Sequence, residues 1–227
     1  MRIAIIPARG GSVRIPRKNA RNFFGVPVIA YSINAALESG LFDDVMVSTE
    51  DSEIAAIARA FGASTPFPRP ESLSAHDTPT ISVLEHVLDE YSNLGKNFSQ
   101  LCCIYPCAPL IVAERLREGM AALANWVDCV VPVLRYPHPP QRCLEIDKSG
   151  MLHMKYPENR HISSQKLAPL YHDAGQFYCL QTSGLNRAIF GGRVIPIVLP
   201  TCEAQDIDTE EDWQMAMLKY RARIERN

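Results

Sequence analysis

Two stretches near opposite ends of the chain carry the groups from which a chemistry can be built. The first, Pro7-Ala8-Arg9-Gly10-Gly11-Ser12-Val13-Arg14-Ile15-Pro16-Arg17-Lys18-Asn19, puts two adjacent glycines among Arg9, Arg14, Arg17 and Lys18. Glycines let the backbone approach a ligand closely and present amide N–H groups to an anion, and the fixed positive charges add to that field. The combination suits a polyphosphate, against the plainer reading of a solvated basic turn. The loop is neither GxxxxGK[ST] nor GxGxxG, which disfavours a Walker ATPase and a dinucleotide dehydrogenase. The second stretch is Gln205-Asp206-Ile207-Asp208-Thr209-Glu210-Glu211-Asp212-Trp213. Asp206 and Asp208, two apart, point the same way in extended backbone, as a hard-cation site requires, so a magnesium pair is the preferred reading. Thr209 with Asp212 reads as a helix N-cap, which accounts for the acids at 210–212 but not for Asp206 and Asp208.

Three further segments carry weaker signals. Asp77 and Thr78 lie between a Pro-rich loop and a helix, where capping alone accounts for them. Tyr105-Pro106-Cys107-Ala108-Pro109-Leu110 follows a strand, so its position suggests a ligand rim. His172-Asp173 is a metal-ligand type of pair, but two neighbours without further His or Asp partners are weak evidence. No Gly-x-Ser-x-Gly elbow is present, so covalent hydrolase chemistry has no support.

These residues need a scaffold, and the chain supplies one by alternation. Short apolar runs at 3–6, 45–49 and 101–105 alternate with helical periodicity at 28–37, 52–61, 80–91 and 113–124. This predicts an α/β fold with a doubly wound, mainly parallel sheet, in which ligands bind beyond the carboxyl ends of the strands. The loops at 7–22, 48–51 and 105–111 then share one rim. After Val133 the pattern breaks into Tyr-Pro-His-Pro-Pro and short strand-like pieces at 141–146 and 151–155, an inserted arm over about 135–170. Strands near 176–180 and 193–199 and a helix over 209–223 complete one domain spanning 1–227.

The 227 residues, 47% hydrophobic and 21% charged, exclude a disordered tail, a collagen-like fibre and a disulfide miniprotein. A net charge of −2 argues against a nucleic-acid partner. That balance conceals two opposed blocks: six bases and no acid over 1–37, six acids and no base over 203–212. Seven cysteines without zinc-type spacing read as reduced, mostly buried thiols. With no signal peptide and no membrane-length apolar run, the expected location is the cytoplasm, away from any membrane.

The first segment resembles the IPARGGSKRIPRKN signature of the sugar-acid cytidylyltransferases, the CMP-sialic acid synthetase-like family. Val47-Ser48-Thr49-Glu50-Asp51, Arg69-Pro70, Asp77-Thr78, Ala108-Pro109 and Gln205-Asp206-Ile207-Asp208-Thr209 follow in the family's order, from Ile3 to about Tyr220. The Tyr171–Tyr178 run and the Cys-Ile-Tyr strand end are similar to the pseudaminic acid branch. The resemblance implies a Rossmann-like nucleotidyltransferase that moves CMP from CTP to a nonulosonic acid, with release of pyrophosphate. Pseudaminic acid is the first expectation; N-acetylneuraminic or legionaminic acid, or a nucleotide-binding homologue with impaired catalysis, are the alternatives. It further implies that Ala8, Arg9, Gly10, Gly11, Ser12, Arg14, Lys18, Asp77 and Thr78 contact the nucleotide, and that Arg9 and Lys18 act on phosphates. Asp206 and Asp208 would hold Mg²⁺, and Tyr105, Gln165, His172, Asp173, Gln176 and Tyr178 would line the sugar pocket. The arm would reach across a homodimer to the partner's site. Two departures remove positive charge: Val13 stands where the family's lysine does, and Ser163 where the branch has an arginine.

Overall fold

A computed structural model describes residues 1–185 and 189–225. The first strand, β1 (Arg2–Pro7), enters the basic loop, and a short hairpin of β2 (Asn22–Phe23) and β3 (Val26–Pro27) follows. Then α1 (Ile29–Ser39), β4 (Asp44–Ser48), α2 (Ser52–Ala60), α3 (Thr80–Asn93), β5 (Gln100–Ile104), α4 (Ala113–Ala122) and β6 (Cys129–Arg135) alternate. The excursion after β6 carries the hairpin β7 (Leu144–Ile146) and β8 (Leu152–Met154); β9 (Tyr171–Asp173), β10 (Phe177–Gln181), β11 (Val194–Val198) and α5 (Glu210–Ile224) complete the chain.

Local chemistry sets most of these boundaries. Asp51 caps α2, its carboxylate accepting from the amides of Glu53 and Ile54. Gly40 closes α1 in the left-handed conformation at φ 65°, which costs glycine little. Thr209 and Asp212 form a reciprocal capping box at the start of α5, as their spacing predicts.

The main sheet runs β11-β6-β10-β5-β1-β4, with β9 added beside β6. β4, β1 and β5 are parallel neighbours, as are β6 and β11, while β10 runs antiparallel between β5 and β6. The expected mainly parallel α/β sheet is therefore present. Two strands within it, β9 and β10, are reversed, because the excursion after β6 brings the chain back from the opposite end.

Helices cover both faces. Ala4, Ile6, Val45, Val47 and Ile104 pack with Ile29, Ile33, Ile54, Ala58 and Leu116 of α1, α2 and α4. On the other face Ile3, Ile5, Leu101 and Cys103 meet Leu84, Val87 and Tyr91 of α3. A third cluster seats Trp213 and Ala216 of α5 against Ile15, Phe23 and Val28, tying the acidic segment to the basic loop. All seven cysteines are free thiols, and no described helix is long and apolar enough to cross a membrane.

Candidate active site

The loops after β1, β4 and β5 meet at one rim. The amide of Ala8 donates to the Ser48 carbonyl at 2.9 Å, and Ser32 Oγ donates to the Tyr105 carbonyl at 2.7 Å. Arg69, 6% exposed, reaches the same corner: Nη2 donates to the Ser48 carbonyl at 2.5 Å and Nε to Ser48 Oγ at 3.2 Å. Burial lowers the pKa of its guanidinium, which remains a cation at neutral pH. Asn19 Nδ2 donates to the Arg9 carbonyl at 3.0 Å and closes the basic loop on itself.

A cavity of about 400 Å³ opens at this rim. Arg9, Ser12, Arg14 and Lys18 line it from one side, Thr78 from a second, Tyr105, Asp173 and Tyr178 from a third, and Asp206 and Asp208 from a fourth. Segments nearly 200 residues apart thus face one space. Lys18 Nζ donates to the Ile207 carbonyl at 2.5 Å and stands 3.7 Å from Asp208 Oδ1. Arg14 Nη2 lies 2.7 Å from the same carboxylate oxygen.

Asp206 keeps solvent access through the cavity, yet protein crowds it elsewhere. That burial first, and the charge of Asp208 second, raise its carboxyl pKa. Gly175, between β9 and β10 at φ +63°, explains the closeness: a Cβ there would come 3.1 Å from Asp206 Cγ. Tyr178 donates a short hydrogen bond to Asp173 Oδ2 and packs edge-on against Tyr105, with centroids 5.5 Å apart. Burial raises the pKa of both phenols, so they stay protonated donors at neutral pH.

The donor set decides what metal fits. No group of three or more His, Cys, Asp or Glu gathers among the described residues. Asp206 and Asp208 do share the cavity with cations suited to phosphate. Mg²⁺ is commonly held by one or two carboxylates completed by substrate phosphates, so this pair fits an ion arriving with a polyphosphate.

Several expected contacts lie elsewhere. Ala8 is fully buried in the core behind the loop. Gly10 passes against Asp51, where a Cβ would sit 2.3 Å from Oδ2, and its amide donates to Glu50 Oε1 at 2.7 Å. Gly11 is exposed beside it. Asp77 is exposed off the cavity, and the N-cap of α3 is Pro79 without a side-chain bond, so capping explains neither Asp77 nor Thr78. Gln176 is 1% exposed, its amide donating to the Glu203 carbonyl at 2.6 Å. The His172 ring turns away from the Asp173 carboxylate onto the Tyr136 ring, 4.8 Å between centroids, because successive strand residues face opposite sides, and its Nδ1 lies 2.9 Å from the Asp173 backbone carbonyl. Gln165 lies exposed on the excursion, beside Ser163. Asn19, Arg69, His76 and Gly175 also stand on the cavity wall, although none is among the expected contacts. Arg69 carried a motif signal; burial of its charge carried none.

A basic loop and a carboxylate pair thus share the carboxyl rim of a mainly parallel sheet, and comparison with known proteins gives the family. Residues 3–140 match the family model described as cytidylyltransferase. The chain is 34% identical to the pseudaminic acid cytidylyltransferase of Campylobacter jejuni, over 98% of this chain and 97% of that one. It is 30% identical to the CMP-N,N'-diacetyllegionaminic acid synthase of Legionella pneumophila, over 94% and 93%. Among solved structures, a CMP:2-keto-3-deoxy-manno-octonic acid synthetase complexed with CTP superposes with a TM-score of 0.71 at 14% identity, covering 98% of this chain and 99% of that one. The chain belongs to the cytidylyltransferase family, and it is an enzyme of that class.

Proposed function

We propose that this protein transfers CMP from CTP to a nonulosonic acid, with pseudaminic acid as the substrate. The identity of 34% across nearly the whole chain to a pseudaminic acid enzyme supports the sugar. The observation that carries the chemistry is the meeting of the basic loop and the Asp206–Asp208 pair around one cavity. In this reading the anomeric hydroxyl oxygen attacks the α-phosphorus in line; the new O–P bond forms, the bond to the bridging oxygen breaks, pyrophosphate leaves, and the hydroxyl proton passes to a water molecule in the cavity. Arg9, Lys18 and Arg14 take up the charge of the departing pyrophosphate. Asp206 and Asp208 would hold Mg²⁺, whose chemistry there would be to organise the triphosphate and offset developing charge. The Tyr105–Tyr178–Asp173 network faces the sugar; Asp173 holds the Tyr178 proton, which leaves the Tyr178 oxygen and the carboxylate as acceptors.

Homodimer formation through the excursion after β6 belongs to the same reading. Leu144 pairs with Met154 and Ile146 with Leu152, so four apolar side chains share one face of the β7–β8 hairpin. Ile146 is 71% exposed and Leu152 61%. A two-stranded hairpin is marginal by itself in water, and a second copy covering that face would supply the missing burial. A cytoplasmic location is part of the same reading, supported by free thiols and a CTP-using class of enzyme.

The deciding assay is pyrophosphate release. Activity should require CTP and Mg²⁺ together and be fastest with pseudaminic acid among pseudaminic, legionaminic and N-acetylneuraminic acids. Absence of release with all three, while CTP still binds, refutes transfer. One observation favours a second reading, a nucleotide binder with impaired catalysis: Val13, 77% exposed at the cavity, supplies no cation. A large gain in turnover for Val13→Lys would support that reading, and no gain would show that the loop already suffices.

A further inference from the structure

Arg14 and Asp208 are paired at the cavity, Nη2 to Oδ1 2.7 Å apart. The surroundings of Arg14 set it apart from the other cations of its loop. Arg17 is held by Asp51 and Glu53, Arg21 by Glu210 and the Trp213 ring, and neither lines the cavity. Lys18 does line it, but its hydrogen bond is to a backbone carbonyl, which stays whatever Asp208 binds. Arg14 has only Asp208 as a hydrogen-bond partner among the described residues, and its side chain is 58% exposed. Val13 beside it is apolar, so between Arg9 and Lys18 no other residue on the cavity wall carries a charge.

We infer that Arg14 is a displaceable counter-ion: it neutralises Asp208 while the cavity is empty, then releases that carboxylate to the incoming divalent cation and moves onto the nucleotide phosphates. Physical reasons favour the exchange in this order. Two carboxylates facing one cavity repel each other unless cations stand beside them; Arg14 is the nearer of two at Asp208, 2.7 Å away against 3.7 Å for Lys18, and the one not anchored to the backbone. A divalent ion on the same carboxylates turns that attraction into repulsion, and the triphosphate offers the guanidinium a bidentate destination. An exposed ion pair is weak, so little opposes its replacement. Arg14 thus takes its two partners, Asp208 and phosphate, in succession. The inference rests on the cytidylyltransferase reading only for the identity of the nucleotide.

The two partners predict effects of opposite sign, which separates this role from a merely structural one. The probes are Mn²⁺ alone, followed by electron paramagnetic resonance, and CTP alone in chelator, followed by calorimetry. For Arg14→Gln, Mn²⁺ should bind about two- to fivefold more tightly, since its competitor is gone. CTP should bind about tenfold more weakly, since a charged hydrogen bond is lost. Arg17→Gln removes the same charge from the same loop and should change Mn²⁺ binding by less than about twofold. Arg14→Lys should bring Mn²⁺ affinity back toward wild type, which distinguishes competition from a folding defect. Unchanged or weaker Mn²⁺ binding by Arg14→Gln overturns the inference, as does equal tightening by Arg17→Gln. If the wild type binds no CTP, the nucleotide reading fails instead, and the Mn²⁺ measurements alone judge the counter-ion.

Discussion

Gly175→Ala tests how Asp206 is held. Gly175 sits at φ +63°, and an added Cβ would come 3.1 Å from Asp206 Cγ, 3.2 Å from its Cβ and 3.3 Å from Oδ1. A non-glycine residue in the left-handed region costs about 1–2 kcal/mol. For a chain of this size that is a fall in Tm of roughly 2–8 °C. The carboxylate must also retreat by a few tenths of an ångström. A 1 Å misplacement at a reacting centre costs about a hundredfold in rate, so a shift of this size should cost roughly three- to tenfold. The loss should take a particular form: a higher Mg²⁺ concentration for half-maximal pyrophosphate release, with the affinity for CTP in chelator unchanged. Differential scanning calorimetry and a Mg²⁺ titration of turnover measure the two parts separately. A variant that loses stability but keeps the wild-type Mg²⁺ dependence and turnover would refute the idea that this glycine positions Asp206. The αL conformation would then be its whole reason.

Asp208→Asn should lower Mg²⁺-dependent turnover by about 10²–10³, the scale of losing one group that stabilises transition-state charge, and should leave Tm nearly unchanged. Arg17→Ala should flatten the acid limb of stability. The side-chain hydrogen bond from Arg17 is the largest cause holding the Asp51 carboxyl below its ordinary value of 3.8. A depressed folded-state pKa adds stability above the ordinary value that is lost as pH falls through the folded one, so the variant should lose less Tm than wild type between pH 5 and the acid side of 3.8. Ile146→Asp puts a charge on the apolar face of the β7–β8 hairpin and should yield monomers in sedimentation velocity at concentrations where the wild type is a dimer; an unaltered dimer would place the interface elsewhere.

Much of the scaffold was legible because its signals are local. The helical spacing of Ile29, Ile33 and Ala36, with Gly40 behind it, marks α1 within two residues of its observed ends. Asp51 and Gly62 bracket α2 in the same way. β6 was less legible, since Pro132 interrupts its apolar run. The structure tolerates that proline because the pairing of β10 stops at Val130 and that of β9 begins at Val133, so no ladder bond to those strands asks for its missing N–H. The reversed direction of β10 left no mark at all, because alternation of apolar residues reports which face a side chain takes and not which way the strand runs.

By itself, the sequence determined the parts of this protein that depend on neighbours in the chain: the elements, their caps, the cationic loop and the pair of acids two residues apart. It also carried enough shared motif to indicate the family. Only the tertiary structure decided which of those groups work together. Arg14 and Asp208 are 194 residues apart in the chain and 2.7 Å apart in space. His172 and Asp173 are adjacent in the chain, yet the strand's alternation sends the imidazole and the carboxylate to opposite sides. Arg69 became an interior cation and Gln176 an interior strut through burial, which is set by everything packed around a residue. Charge, spacing and capping act over a few residues and can be read along the chain. Desolvation and the pairing of distant charges act across the folded interior, and they exist only once the sheet has brought its loops to one rim.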